Sequence, residues 1–252
     1  MEHTDLTPRY LREPGVEIGA FKTPIPGIKP TYVDRFADYA GERTLADYYG
    51  DACDLPFHDS SLRYVATSHV LEHVANPLAA LKEWHRVLRH GGIIYAVVPD
   101  RRLTFDHPRP LTAPEHMRQD YVRGTTQVDG THIDDFVFGV DWRAFSPSTP
   151  AGQEQASREQ LATTYRAAVA AGLEINIHFH TFESDSLSAL IRLGNEQLVW
   201  SGEIEILERQ AAFPQSNPNG FLLVARVKKS PAQRLKAFFR PARGVKENAK
   251  KF

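Results

Sequence analysis

The sequence predicts an α/β fold: an open, mostly parallel Rossmann-like sheet that ends in an antiparallel hairpin and carries a lid insertion. Three observations support this. Residues 64–100 read as strand, helix and strand within about 35 residues, the length of one βαβ unit of a parallel sheet. Upstream, two short apolar runs, at 15–20 and 31–34, end in glycine and alanine or in aspartate. Downstream, the alternating run 203–208 and the apolar run 221–227 flank a turn cluster at 215–220 with no helix between them, so they pair antiparallel.

Residues 1–12 are polar and of mixed charge. Gly15-Val16-Glu17-Ile18-Gly19-Ala20 is the first strand and its turn, with glycine where the backbone must pass close to a ligand or adopt positive φ. Pro24, Pro26, Gly27 and Pro30 break any helix before the second strand, Thr31-Tyr32-Val33-Asp34. The crossover between these strands is therefore expected to be unusually tight and to have its helix shortened or missing. Residues 37–49 are expected to form a short helix and 58–62 a turn, with Tyr64-Val65-Ala66 as a buried strand. Asn76-Pro77 starts the next helix, with proline in its first turn. Leu78, Leu81, Trp84, Val87 and Leu88 recur at helical spacing, and Gly91-Gly92 is expected to stop the helix. Residues 93–98 are the following strand. From there to about residue 150 periodicity is poor, with one short helix at 113–122; a loop of this length is usually functional. A helix at 157–171 stops at Gly172. Residues 175–182 are read as a strand that places His178 and His180 on one face, and 183–193 as another amphipathic helix.

Several of these segments resemble one family. His69-Val70-Leu71-Glu72-His73-Val74, then a helix, then Arg86-Val87-Leu88 ahead of Gly91-Gly92 and an apolar strand ending in Pro99, resembles the middle of class I S-adenosylmethionine (SAM) dependent methyltransferases. Gly50-Asp51-Ala52-Cys53-Asp54-Leu55-Pro56-Phe57 resembles the G-D-A-x-x-L-P-F segment of many of them. Residues 15–20 resemble their first strand and glycine turn, an acidic residue followed by G-x-G-x-G, of which only Gly19 is in place. The resemblance runs from Gly15 to Val227, the insertion excepted. It implies SAM as cofactor, with Glu17, Gly19 and Ala20 at the first turn, Asp34 on the ribose hydroxyls, Asp51 and Ala52 as acceptor and donor for the adenine, and Ser68 at the end of the third strand. The shortened glycine turn, the segment 99–110 and His178-Phe179-His180 further resemble sugar O-methyltransferases of polysaccharide biosynthesis, including magnesium-dependent mannoside 1-O-methyltransferases.

Methyl transfer to a hydroxyl needs the proton removed by a base, or its pKa lowered by a metal. His69 lies at the carboxyl end of a parallel strand, where α/β folds bind ligands. A same-face pair such as His178 and His180 can bind a metal, act as a base or hydrogen-bond a polyol. These three are the candidate catalytic residues. Asp106, His116 and His132, from the polar insertion, are candidate ligands for Mg²⁺; the alternative is a solvated lid whose charges pair with one another. The expected acceptor is a sugar or oligosaccharide. The rival readings are a metal-independent methyltransferase of a natural-product hydroxyl or carboxylate, and a non-catalytic scaffold protein.

Composition sets the frame for these readings. The 252 residues, 42% hydrophobic and 24% charged, suit one methyltransferase domain over 1–252, with the insertion at about 100–150 and a basic tail at 228–252. The apolar runs are short of a membrane span, no signal peptide is evident, and Cys53 is the single cysteine, so a cytoplasmic location is expected. The tail has nine basic residues against Glu247, a local charge of +8, which leaves the rest at −9. An acidic body argues against nucleic acid as the main partner. The tail is read as a solvated C-terminal helix, with weak contact to anionic membrane surfaces as the alternative. A homodimer is entertained, although no residue pattern specifies one.

Overall fold

The computed structural model describes residues 1–39, 41–128, 130–239 and 244–251; the stretch of the basic tail at 240–243 and residue 252 lie outside these. Helix α1 (His3–Tyr10) precedes strands β1 (Gly15–Ile18) and β2 (Thr31–Asp34). A two-stranded ladder, β3 (Asp38–Tyr39) and β4 (Glu42–Arg43), leads to β5 (Tyr48–Tyr49). The βαβ unit is β6 (Leu62–Ser68), α2 (Pro77–Val87) and β7 (Leu88–Pro99). Helices α3 (Pro114–Arg123), α4 (Gly130–Gly139), α5 (Trp142–Phe145), α6 (Glu154–Ala170) and α7 (Ser184–Glu196) follow. The hairpin β8 (Gly202–Phe213) and β9 (Gly220–Lys229) comes next, and α8 (Pro231–Phe239) closes the chain of elements.

Seven strands form one sheet in the order β5-β2-β1-β6-β7-β9-β8. The first five are parallel, and β9 pairs antiparallel with both β7 and β8. The expected hairpin ending is thus present. Alternation along each strand divides the core. Val65, Ile94, Ala96, Leu223 and Ala225 face α2 and α7, whereas Tyr64, Ala66, Tyr95, Val97 and Leu222 face the other side with Leu6, Leu11 and Ile25. That second face is covered by α1 and by the proline-rich 19–30 crossover, which contains no helix or strand. Helix α1 was not anticipated, because its sequence is polar and carries Pro8 in its interior.

Helix α2 starts as expected. Asn76 is the N-cap and Pro77 follows; Ala79 N–H donates to Asn76 Oδ1 at 3.0 Å, and Asn76 Nδ2 donates to Asp120 O at 3.2 Å. Replacing Asn76 by alanine removes the cap and a tether to α3. A loss of about 1–2 kcal/mol in urea denaturation is expected. Trp84 is fully buried and donates from Nε1 to Ala52 O at 3.0 Å, which fixes the turn after β5 to this helix.

Five expectations are corrected. Residues 37–49 form no helix. Tyr48 pairs with Val33, Asp47 accepts from Tyr32 N–H, Thr44 Oγ1 bonds to Phe36 O, and Gly41 turns at φ +78°, so β-prone tyrosines and a glycine turn outweigh local helical spacing. Helix α2 ends at Val87 rather than at the Gly91-Gly92 pair, because Leu88 is extended and pairs with Leu62. Gly91, at φ +78°, instead lies in the bulge between the Leu88 and Ile93 pairs. Residues 175–182 join no sheet. The insertion holds α4 and α5 besides α3, and Phe136, Val137, Trp142, Ile177 and Phe179 build a separate apolar cluster there. The tail also departs from a purely solvated helix. After α8, Val245 bridges to Phe57, Lys246 N–H donates to Pro56 O at 2.8 Å, and Tyr49 N–H donates to Lys250 O at 2.9 Å, which covers the outer edge of β5. No helix among the described residues is long and apolar enough to cross a membrane.

Candidate functional site

The chain leaves β1 towards β2 on one side and returns through β6 on the other, so β1 and β6 flank the switch point of the sheet. A cavity of about 820 Å³ opens at the carboxyl ends of these strands. All seven residues expected to bind a cofactor line it: Glu17, Gly19, Ala20, Asp34, Asp51, Ala52 and Ser68. His69 and His73 line it too, as do Asn217 and Asn219 of the β8–β9 turn.

Gly19 sits at φ +68°, and a Cβ there would lie 2.5 Å from Val70 Cγ2, so only glycine fits between the first turn and the end of β6. Asp34 ends β2, is largely buried, and accepts from Phe36 N–H at 3.0 Å. Burial pushes its carboxyl above the usual range, against the pull of the Phe36 and Arg35 N–H groups. Asp51 holds Cys53 N–H at 2.7 Å through one oxygen and Arg35 at 2.9 Å through the other. Cys53 lines the cavity, and burial raises its thiol, which makes it an inert wall residue. Glu17 lines the cavity while tied to the crossover: Oε1 accepts from Ile25 N–H at 2.9 Å, and burial raises the carboxyl to about 7. Its role is to hold the 19–30 crossover beneath the sheet.

His69 follows β6 in the left-handed region, φ +55°, with its N–H donated to Val97 O at 2.9 Å. A non-glycine residue held there is often functional. Burial lowers its imidazole pKa, so the ring is neutral at pH 7 and able to take a proton; the Asn219 side chain lies against it. Behind it, Glu72 is fully buried with no hydrogen bond to either carboxylate oxygen, 3.7 Å from His69 Nδ1 and 3.7 Å from His73 Nε2. Burial raises Glu72 to about 7 and lowers His73 to about 3.

His178 and His180 do not act as a pair. His178 Nδ1 bonds to Asp106 at 2.5 Å and packs against His73, within a group of Glu72, His73 and His178. His180 lies instead with His116, Asp120 and His132. The metal set expected from sequence is divided as well: His116 and His132 meet, but Asp106 is committed to His178 and to the buried Arg109 at 2.7 Å. Without a strand at 175–182 the two histidines serve different neighbours. Asp120 takes the place expected for Asp106; nothing in its sequence spacing singles it out among the acidic residues of the insertion. Asn217 and Asn219 read in sequence only as turn formers.

The strand order with its antiparallel end is the Rossmann-like α/β fold of class I methyltransferases. Residues 28–96 match the family model described as a methyltransferase domain. The demethylmenaquinone methyltransferase of Staphylococcus epidermidis is 50% identical over 46 residues, 18% of this chain and 19% of that protein. An uncharacterized 37.1 kDa protein in transposon TN4556 of Streptomyces fradiae is 47% identical over 60 residues, 23% of this chain and 17% of that protein. The chain thus spans about a fifth of the length of the curated relatives it matches. A SAM-dependent methyltransferase structure from Methanosarcina mazei aligns with TM-score 0.48 at 17% identity, covering 91% of this chain and all of the other. One from Thermotoga maritima, a possible histamine N-methyltransferase, gives 0.46 at 18% identity, with coverage of 90% and 88%.

Proposed function

We propose that the chain is a SAM-dependent O-methyltransferase whose acceptor is a hydroxyl of a sugar or oligosaccharide. The observation that carries this reading is the placement of Asp34 and Asp51 on one cavity with the Gly19 turn and His69. The cavity residues fit SAM: Gly19 leaves a cradle that a Cβ would fill, Asp34 suits the two ribose hydroxyls, and Asp51 with the adjacent Ala52 N–H suits the adenine edge. When bound, the cofactor supplies an electrophilic methyl on a sulfonium. The protein's share is to align the acceptor oxygen with that bond, which contributes up to ~7–11 kcal/mol in favourable cases, and to take the hydroxyl proton on His69. Polar side chains lining the cavity, Asn217, Asn219 and Thr125, favour a polyol over the quinone named for the Staphylococcus relative.

Mg²⁺ does not fit the residues present. It takes oxygen ligands in octahedral geometry, whereas both titratable clusters are rich in imidazole, and Asp106 is already neutralised by Arg109 and His178. No step is assigned to it. Calorimetric titration with SAM and S-adenosylhomocysteine tests the cofactor site: Asp34→Ala is expected to weaken binding at least tenfold, ~1.4 kcal/mol. Absence of binding by the folded wild type would overturn the reading. Release of S-adenosylhomocysteine with mannosides, unchanged by added Mg²⁺, tests the acceptor class.

A further inference from the structure

We propose that His116, Asp120, His132 and His180 form a structural site for a divalent transition-metal ion, zinc by the chemistry of its donors. The site pins the 100–150 segment to the rest of the fold and lies apart from the cofactor cavity. It is independent of the methyl-transfer reading.

Three elements converge on it. His116 and Asp120 stand one turn apart on α3, His132 lies near the start of α4, and His180 comes from the extended stretch before α7. One ligating atom from each falls within 4.8 Å of all the others. The three imidazole rings stand edge to face, 5.7–5.8 Å apart between centroids, so their nitrogens converge on one point rather than their faces stacking.

The buried polar atoms do not satisfy one another. Asp120 Oδ2 accepts no hydrogen bond, although its side chain is 5% exposed. It stands 3.4 Å from His116 Nε2 and 3.8 Å from His180 Nε2. A carboxylate bonded to imidazole sits nearer, at about 2.7–2.9 Å. Tetrahedral zinc with ligands at about 2.0–2.1 Å places its donors roughly 3.3–3.4 Å apart; the His116–Asp120 pair stands at that spacing, and the remaining donors, within 4.8 Å of one another, would draw in slightly on binding. His180 is fully buried with Nδ1 unbonded, while its Nε2 is hydrogen-bonded to Ala75 O at 3.3 Å. Leaving such atoms unpaired in a protein interior costs about 1–3 kcal/mol each, which an ion bound among them removes.

The donor set decides the metal. Three imidazoles and one carboxylate suit zinc, not Mg²⁺ or Ca²⁺, and four protein ligands leave no open position, the pattern of a structural rather than a catalytic ion. Its reach to the cavity is indirect. The Asp120 carbonyl accepts from Asn76 Nδ2, and the following residues Tyr121, Gly124 and Thr125 line the cavity wall. A filled site therefore fixes that wall.

The test uses the full chain without a histidine tag. Metal analysis after dialysis is expected to find about one zinc per chain. Thermal unfolding is expected to shift upward with Zn²⁺ and not with Mg²⁺, and Co²⁺ is expected to give the visible absorption of a tetrahedral site. His116→Ala, chosen because its side chain is 46% exposed and its loss leaves the core intact, is expected to weaken zinc at least tenfold and to abolish the thermal shift, with the metal-free transition unchanged. Asp120→Asn is expected to weaken zinc in the same way. A wild type that neither retains zinc nor shifts with it overturns the proposal. So does zinc binding that both variants preserve. SAM titration of the same samples reads the methyltransferase proposal separately.

Discussion

Replacing His69 by asparagine is expected to slow methyl transfer by about 10²–10⁴-fold in kcat while leaving the affinity for SAM nearly unchanged. Asparagine is the informative substitution because, like histidine, it tolerates the left-handed backbone at φ +55° better than alanine does. The ring is placed for the role by its backbone bond to Val97 O and by the buried Glu72 carboxyl 3.7 Å behind it. Burial lowers the imidazole pKa below its ordinary value, so the base form dominates at neutral pH. Because the neutral ring is the active form, kcat should rise with pH through a pKa below 6.5 and stay level above it. The asparagine variant should lose that acid limb. A variant that keeps kcat within threefold, or keeps the limb, would place the base elsewhere.

Much of this cavity lining is legible in the sequence, because ligand sites in a doubly wound sheet lie at strand ends, and strand ends are marked locally. Gly19, Asp34 and Asp51 each close a short apolar run or a turn, and all three line one cavity. What sequence could not supply was long-range pairing. The helix expected at 37–49 gives way to pairing between Val33 and Tyr48, and the strand expected at 175–182 finds no partner strand. That second error had chemical consequences. A same-face argument holds only for a residue already in a sheet, so it pairs His178 with His180 where the fold sends them to Asp106 and to Asp120. The insertion was hardest to read, since its cluster of Phe136, Trp142 and Phe179 draws on residues too scattered to show a period.

Arg109→Ala is expected to destabilise the protein by about 3–5 kcal/mol in denaturant unfolding, the cost of leaving a buried charge without its partner. The Arg109 side chain is wholly inaccessible. It donates to Asp106 Oδ1 at 2.7 Å, to Asp135 Oδ2 at 2.5 Å and to Phe179 O at 3.3 Å, and its guanidinium lies over the Phe136 ring. Gly139 accommodates it, since a Cβ there would approach Arg109 Cγ to 2.8 Å. Burial by itself would raise the Asp106 carboxyl, but His178 and Arg109 outweigh it and hold the group below its usual range. A carboxyl depressed in the folded state contributes stability that is present above its unfolded pKa, about 3.8, and lost as pH falls through the folded value. Taking Arg109 away should weaken this acid-side dependence. It also cuts the link between residues 106–135 and the extended stretch that carries His178. Asp106→Asn combined with Arg109→Met removes both charges and keeps most of the volume, so it should cost less than the sum of the two single changes. Strict additivity, or a loss below about 1 kcal/mol for Arg109→Ala, would show that Asp135 and solvent already screen the pair.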